Sequence, residues 1–131
     1  MAREDIPSTK PLVDKLGVKE GQRVAVLGDD PAFVQQLLER GADVRVGRRR
    51  TGADLMVVGV EHRRGLPRLR THREFIARDG AIWVVWPKGS PDVSENDVRD
   101  AALDAGLVDV KVVSFSPTLS ALKLVFRLRD R

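Results

Sequence analysis

RVAVLGDDP, Arg23 to Pro31, is the stretch on which the reading of this chain turns. Val24, Ala25, Val26 and Leu27 form an apolar strand, and Gly28 lets the backbone turn. Asp30 then offers a helix N-cap, with Pro31 at the first helical position. A strand running straight into a capped helix is a βα unit, and its turn lies where open α/β sheets hold a ligand. Only one glycine stands in that turn, where a loop that cradles phosphate or nucleoside usually carries several.

The pattern continues outward from there. Phe33, Val34, Leu37 and Leu38 supply a helical apolar stripe that stops at Gly41. Asp43 to Val46 alternates polar and apolar, as a half-exposed edge strand does. Leu55 to Val60 and Ala81 to Trp86 are continuous apolar runs, as expected of central parallel strands covered on both faces. Between them Leu66, Leu69, Arg73 and Ile76 recur at helical spacing, with Pro67 near the helix start and Gly80 at its end. Ser94 and Asp97 open a further helix that buries Val98, Ala101, Ala102 and Ala105 and ends at Gly106. Val110 to Phe115 and Leu122 to Leu128 are separated by too short a turn for a crossover helix, so the last strand is predicted to run antiparallel. In it Leu122, Leu124, Phe126 and Leu128 are expected on one face. Before all of this, Ser8 to Leu16 is predicted as a short helix capped by Ser8 or Thr9, part of a helical brace over residues 1–20.

The predicted fold is therefore α/β: a doubly wound, Rossmann-like three-layer sandwich with about six mostly parallel strands and an antiparallel C-terminal strand. At 131 residues, 42% hydrophobic and 32% charged, the chain fits a single domain over 1–131. With no cysteine, disulfides, zinc–thiolate sites and thiol nucleophiles are excluded. The longest uncharged apolar run, Ala81 to Pro87, is too short to span a bilayer, so the expectation is a cytoplasmic protein with no membrane partner. The net charge of +4 is unevenly spread. Nine arginines between Arg45 and Arg73 face two acids, Asp54 and Glu61, a local +7 that leaves the remainder at −3.

These blocks, RVAVLG, DLMVVGV (Asp54 to Val60), DGAIWVVWPKGS (Asp79 to Ser90) and AGLVDVKVVSF followed by LKLVFRL, resemble the core of class I S-adenosylmethionine-dependent methyltransferases. A strand and helix are missing between Val46 and Asp54. WPKGS with AGLVDVKV also resembles a small bacterial family of unknown function with the same reduced frame. The resemblance implies S-adenosylmethionine as cofactor, held by Gly28, Asp29 and Asp30. Two departures bear on it. Two aspartates and a proline follow Gly28, which implies a crowded crevice. The acid that would accept ribose hydroxyls after the second strand has no counterpart at Gly47 or Arg48, and a guanidinium cannot accept a hydrogen bond.

Candidate site residues follow from the loops at the strand ends. For a small-molecule cofactor they are Gly28, Asp29, Asp30, Trp86, Lys88 and Ser90; for an anion they are Arg48, Arg49, Arg50, Arg63 and Arg64. Each has a structural alternative. Asp30 serves equally as a helix cap and Asp29 as a loop charge. Trp83 and Trp86 are three apart on one strand and so point to opposite faces, Trp83 into the core and Trp86 toward either a planar ligand or the space beneath a helix. Lys88, Gly89 and Ser90 could cradle an anion, though this is no P-loop. His62 beside Glu61 could form a proton-transfer pair or stand in solvent. With only His62 and His72 to draw on, no metal site is expected, and no catalytic residue is assigned.

The expected function is a non-enzymatic binding or regulatory module on a methyltransferase-like frame, with no cofactor. One alternative is a binder of S-adenosylmethionine or a nucleotide-type molecule, enzymatic or not. Another is nucleic-acid binding through the arginine-rich stretch, although no aromatic groups interleave with the arginines. Partners left open are an anionic small molecule, nucleic acid, an acidic protein, and a homodimer formed along the β-branched strand Val110 to Phe115.

Overall fold

A computed structural model describes residues 10–28 and 30–131, and in them the apolar runs assemble into one six-stranded sheet. In chain order the elements are α1 (Leu12–Lys15), β1 (Arg23–Leu27), α2 (Pro31–Arg40), β2 (Asp43–Val46), β3 (Ala53–Gly59), α3 (Leu69–His72), β4 (Ile76–Pro87), α4 (Glu95–Asp104), β5 (Leu107–Ser114) and β6 (Leu119–Phe126). The strand order is β2-β1-β3-β4-β6-β5. β1 to β4 are mutually parallel where they pair, and β6 runs antiparallel between β4 and β5. This is the doubly wound α/β sandwich that the sequence predicts, with β2 and β5 at the edges.

Period-two alternation explains why the central strands read as unbroken apolar runs. Met56, Val58, Ile82, Val84 and Trp86 point into one core with Val98, Ala102, Leu122 and Leu124, beneath α4. Val24, Val26, Leu55, Val57, Trp83 and Val85 point into the other with Phe33 and Leu37 of α2. Both faces are covered, so neither register position is polar. Trp83 and Trp86 accordingly lie on opposite faces, 0% and 4% exposed.

α1 braces the α2 face. It spans only Leu12–Lys15 and follows Pro11 with no side-chain cap; Ser8 and Thr9, the predicted caps, lie outside the described residues. Val13, Leu16 and Val18 are buried there, the Trp83 indole N–H donates to the Leu16 carbonyl at 3.2 Å, and Arg40 pairs with Asp14. α2 and α4 begin as predicted. Asp30 accepts from the Phe33 amide at 3.0 Å, and Ser94 and Asp97 cap each other reciprocally.

Three predicted boundaries are corrected. The helix expected from Leu66 to Gly80 is instead a 3₁₀ turn (Arg63–Arg68), the single turn α3, and a second 3₁₀ turn (Arg73–Phe75), after which Ile76 already belongs to β4. Gly65 and Pro67 fall inside its first turn, and proline cannot donate to an α-helical ladder. Gly80 does not stop a helix; it lies in a bulge where Ala53 pairs with Ile76 but Leu55 with Ala81. A Cβ there would meet backbone oxygens of Asp54, Ala53 and Ala77 at 2.9–3.0 Å, so only glycine fits. Finally, β6 ends at Phe126. Leu128 starts a 3₁₀ turn and is 79% exposed rather than continuing the buried face.

No strand or helix intervenes between β2 and β3, so the strand and helix missing from the methyltransferase-like core in the sequence are missing here too. Residues 47–52 form a strap that returns from the end of β2 to the start of β3. It is anchored by Arg50 on Asp43 (2.9 and 3.1 Å), Arg49 over the Phe75 ring (4.7 Å) and the Gly47 amide on the Val26 carbonyl (2.8 Å). Among the described residues, no helix is long and apolar enough to cross a membrane.

Candidate functional site

Parallel strands deliver their carboxyl ends to one edge of the sheet, and there a cleft of about 810 Å³ opens over β1, β3 and β4. The crowding expected from the loop after Leu27 is not what the described residues show. Gly28 and Gly59 face each other where β1 and β3 end: a Cβ built on Gly28 lies 3.8 Å from the Gly59 amide, and one on Gly59 lies 3.7 Å from the Leu27 carbonyl. Two bare backbones thus meet a ligand-sized space.

The cleft has two arms, because the strands send side chains to both faces. Toward α2, Val26, Val57, Val85, Phe33, Phe115 and Leu119 line it. Phe33 and Phe115 pack edge to face, with centroids 5.0 Å apart. Toward α3 it is polar, lined by Glu61, His62, Arg64, Gly65, Arg68 and His72.

The predicted residues divide accordingly. Gly28 and Asp30 line the cleft, though the Asp30 carboxylate already caps α2. Asp29 lies outside the described residues. Trp86 fills the core beneath α4 rather than facing the cleft. Lys88 and Ser90 are engaged in their own loop: the Lys88 ammonium donates to Ser114 Oγ at 2.7 Å, and Ser90 Oγ accepts from the Asp92 amide at 3.1 Å.

Of the five arginines predicted as an anion site, only Arg64 lines the cleft. Arg50 is nearly buried against Asp43, where its hydrogen bond holds the Asp43 carboxyl below the ordinary carboxylate range. Arg63 turns to Asp97 and to the Pro91 carbonyl. Arg48 is exposed, and Arg49 rests on Phe75. His62 has Asp92, at 3.8 Å, as its acidic neighbour rather than Glu61.

The sequence reading missed Arg68, His72 and Gly59 as cleft residues. His72 is the one buried polar or charged side chain among the described residues, 7% exposed, and its Nδ1 has no hydrogen-bond partner. Burial, reinforced by the fields of Arg49 and Arg68, pushes its pKa down to about 4, so the imidazole is neutral near pH 7. Its signal was available: His72 falls three residues after Leu69 and four before Ile76, on the apolar stripe itself.

No family model matches the chain, and no curated protein does either. Solved structures do. An Aquifex aeolicus SAM-dependent methyltransferase superposes with TM-score 0.67 at 14% identity, covering 86% of each chain. Magnesium protoporphyrin IX methyltransferase from Synechocystis, solved with bound SAM, gives TM-score 0.67 at 11% identity over 88% of this chain and 74% of that one. A Methanococcus jannaschii fibrillarin pre-rRNA processing protein gives 0.57 at 12% identity over 83% and 68%. Such identities speak for architecture alone, and the architecture they share with this chain is the Rossmann-like fold of class I methyltransferases.

Proposed function

We propose that this chain binds a small molecule in the cleft over β1, β3 and β4, with an S-adenosyl compound as the first ligand class. The observation that carries this reading is the pairing of Gly28 with Gly59 at the mouth of an open space of about 810 Å³. Ligand sites in such sheets lie at this edge, and backbone without side chains allows close approach. The Synechocystis neighbour, solved with bound SAM, supports the choice of ligand. The chain's own residues would bind and orient: backbone at Gly28 and Gly59, and an apolar wall from Phe33, Phe115 and Leu119.

A second reading, a binding or regulatory module without catalysis, draws on the end of β2. Gly47 and Arg48 stand there, and neither offers a carboxylate to ribose hydroxyls.

Calorimetric titration with S-adenosylmethionine and its demethylated product tests the proposal. Saturable binding is expected, abolished by Gly59→Leu. That position suits the test because Gly59 is exposed and an added Cβ meets only ordinary contacts, so the variant keeps its fold. No heat from either compound at millimolar concentration overturns the S-adenosyl reading.

A further inference from the structure

Several arginines of this chain are committed to acids. Arg40, Arg50, Arg63, Arg70, Arg73 and Arg99 each have an acid within ion-pair distance. Arg64 and Arg68 have none among the described residues, although both line the cleft. They stand four apart on the segment that also places His72, buried, on the same wall. Arg49, resting on the Phe75 ring, adds to the positive field at His72. Among the described residues the wall thus carries two guanidinium groups, Arg64 and Arg68, against the carboxylate of Glu61, and Arg49 adds its charge from outside the lining. Asp30 lies on the other arm, at the start of α2.

We propose that this polar arm is the subsite for a phosphate monoester, held by Arg64 and Arg68 with the His72 imidazole beside it, while the apolar arm of Phe33, Phe115 and Leu119 takes the body of the same molecule. The argument is one of charge and shape. Two lining guanidinium groups and the nearby charge of Arg49 outweigh the Glu61 carboxylate, and a phosphate monoester at about −1.5 to −2 draws on that surplus more strongly than a carboxylate at −1. Guanidinium groups suit its oxygens bidentately. A neutral imidazole that leaves one nitrogen unpartnered keeps a hydrogen-bonding group in reserve at a buried position, where an unsatisfied polar atom is otherwise unfavourable. The proposal rests on the cleft being a ligand site but not on its holding an S-adenosyl compound, which carries no phosphate.

Phenyl phosphate, benzoate and inorganic phosphate are the probes, titrated calorimetrically and by NMR at the His72 ring protons. Phenyl phosphate is expected to bind, benzoate about tenfold or more weakly, and inorganic phosphate in between for want of an apolar body. Binding is expected to move the His72 titration midpoint upward, since a nearby anion favours the imidazolium. The double variant Arg64→Gln/Arg68→Gln is expected to lose about tenfold or more of the phenyl phosphate affinity. Both side chains are exposed, so the fold is retained; Arg70→Gln, on the outer side and paired with Asp104, is expected to lose nothing.

Equal affinity for benzoate and phenyl phosphate, an unmoved His72 signal, or full affinity in the double variant each overturns the proposal. So does tighter binding of a single-stranded oligonucleotide that depends on Arg48 and Arg49 instead. S-adenosyl binding without phenyl phosphate binding defeats this inference and leaves the proposed function standing. The opposite result defeats the S-adenosyl reading and leaves this one.

Discussion

The two ends of the sheet use the same residue type for opposite purposes. At the end where β1, β3 and β4 begin, arginines close the structure. Arg73 lies over the Phe126 ring at 5.1 Å and donates to the Ala105 carbonyl at 2.8 Å; Arg78 covers the same ring at 4.9 Å; Arg131 donates to the Phe126 carbonyl at 3.0 Å. The Arg23 amide is met by Asp54 at 2.9 Å, and Gly80 is wedged among carbonyls. At the end where these strands finish, glycines leave the backbone bare, and Arg64 and Arg68 have no acid partner among the described residues. Close packing and satisfied carbonyls give stability to the first end, while unmatched charge and open space make the second end the one equipped to bind.

The largest expected effect tests whether the closed end is as rigid as this contrast requires. Gly80→Val is expected to cost about 3 kcal/mol or more in urea-unfolding stability, because its side chain meets backbone oxygens that cannot yield. Gly59→Ala, at the open end, is expected within about 0.5 kcal/mol of the parent. Similar losses for the two would erase the contrast.

Acid is expected to act through the open end. The folded-state pKa of His72 lies below its ordinary 6.5, at about 4, so its contribution is complete above 6.5 and is lost as pH falls toward 4. The unfolded chain takes up the proton first, and the loss amounts to roughly 3 kcal/mol. Stability curves of the parent and of His72→Gln between pH 7 and 4 should therefore converge. Parallel curves would mean that His72 titrates normally.

Smaller effects separate the arginines directly. Arg73→Ala is expected to lower stability by about 1–2 kcal/mol, through the Phe126 ring contact and the Ala105 carbonyl bond. Arg68→Ala is expected to leave stability within about 0.5 kcal/mol while raising the His72 midpoint, because one of the two cations depressing it is removed. If Arg68→Ala proves as damaging as Arg73→Ala, Arg68 is structural and the division between the ends fails.

Much of the frame was legible in the sequence because a strand covered on both faces has no polar register position. LMVVGV and AIWVVW could hardly be anything but central. Asp30 and Ser94 announced their helices through short-range capping chemistry that depends on nothing distant. The segment 63–75 was misread because Leu66, Leu69 and Ile76 keep helical spacing while Gly65 and Pro67 impose tighter turns, and spacing does not separate the two. The site was less legible. Arg48, Arg49 and Arg50 are conspicuous as a run, yet which guanidinium finds an acid is settled by the fold, which brings Asp43 to Arg50 and Asp97 to Arg63. Gly59 could have been caught, since a glycine interrupting an apolar strand often marks close approach of a ligand.

The strap of residues 47–52 has a consequence for how this chain can change length. It must run back past the whole of β2, about 13 Å, and step sideways across β1 within a reach of about 24 Å. Residues added to β2 lengthen that return and strain the contacts of Gly47 with Val26 and Arg49 with Phe75 unless the strap grows with them. Insertions in this corner should therefore be best tolerated when the four-residue edge strand and its strap lengthen together.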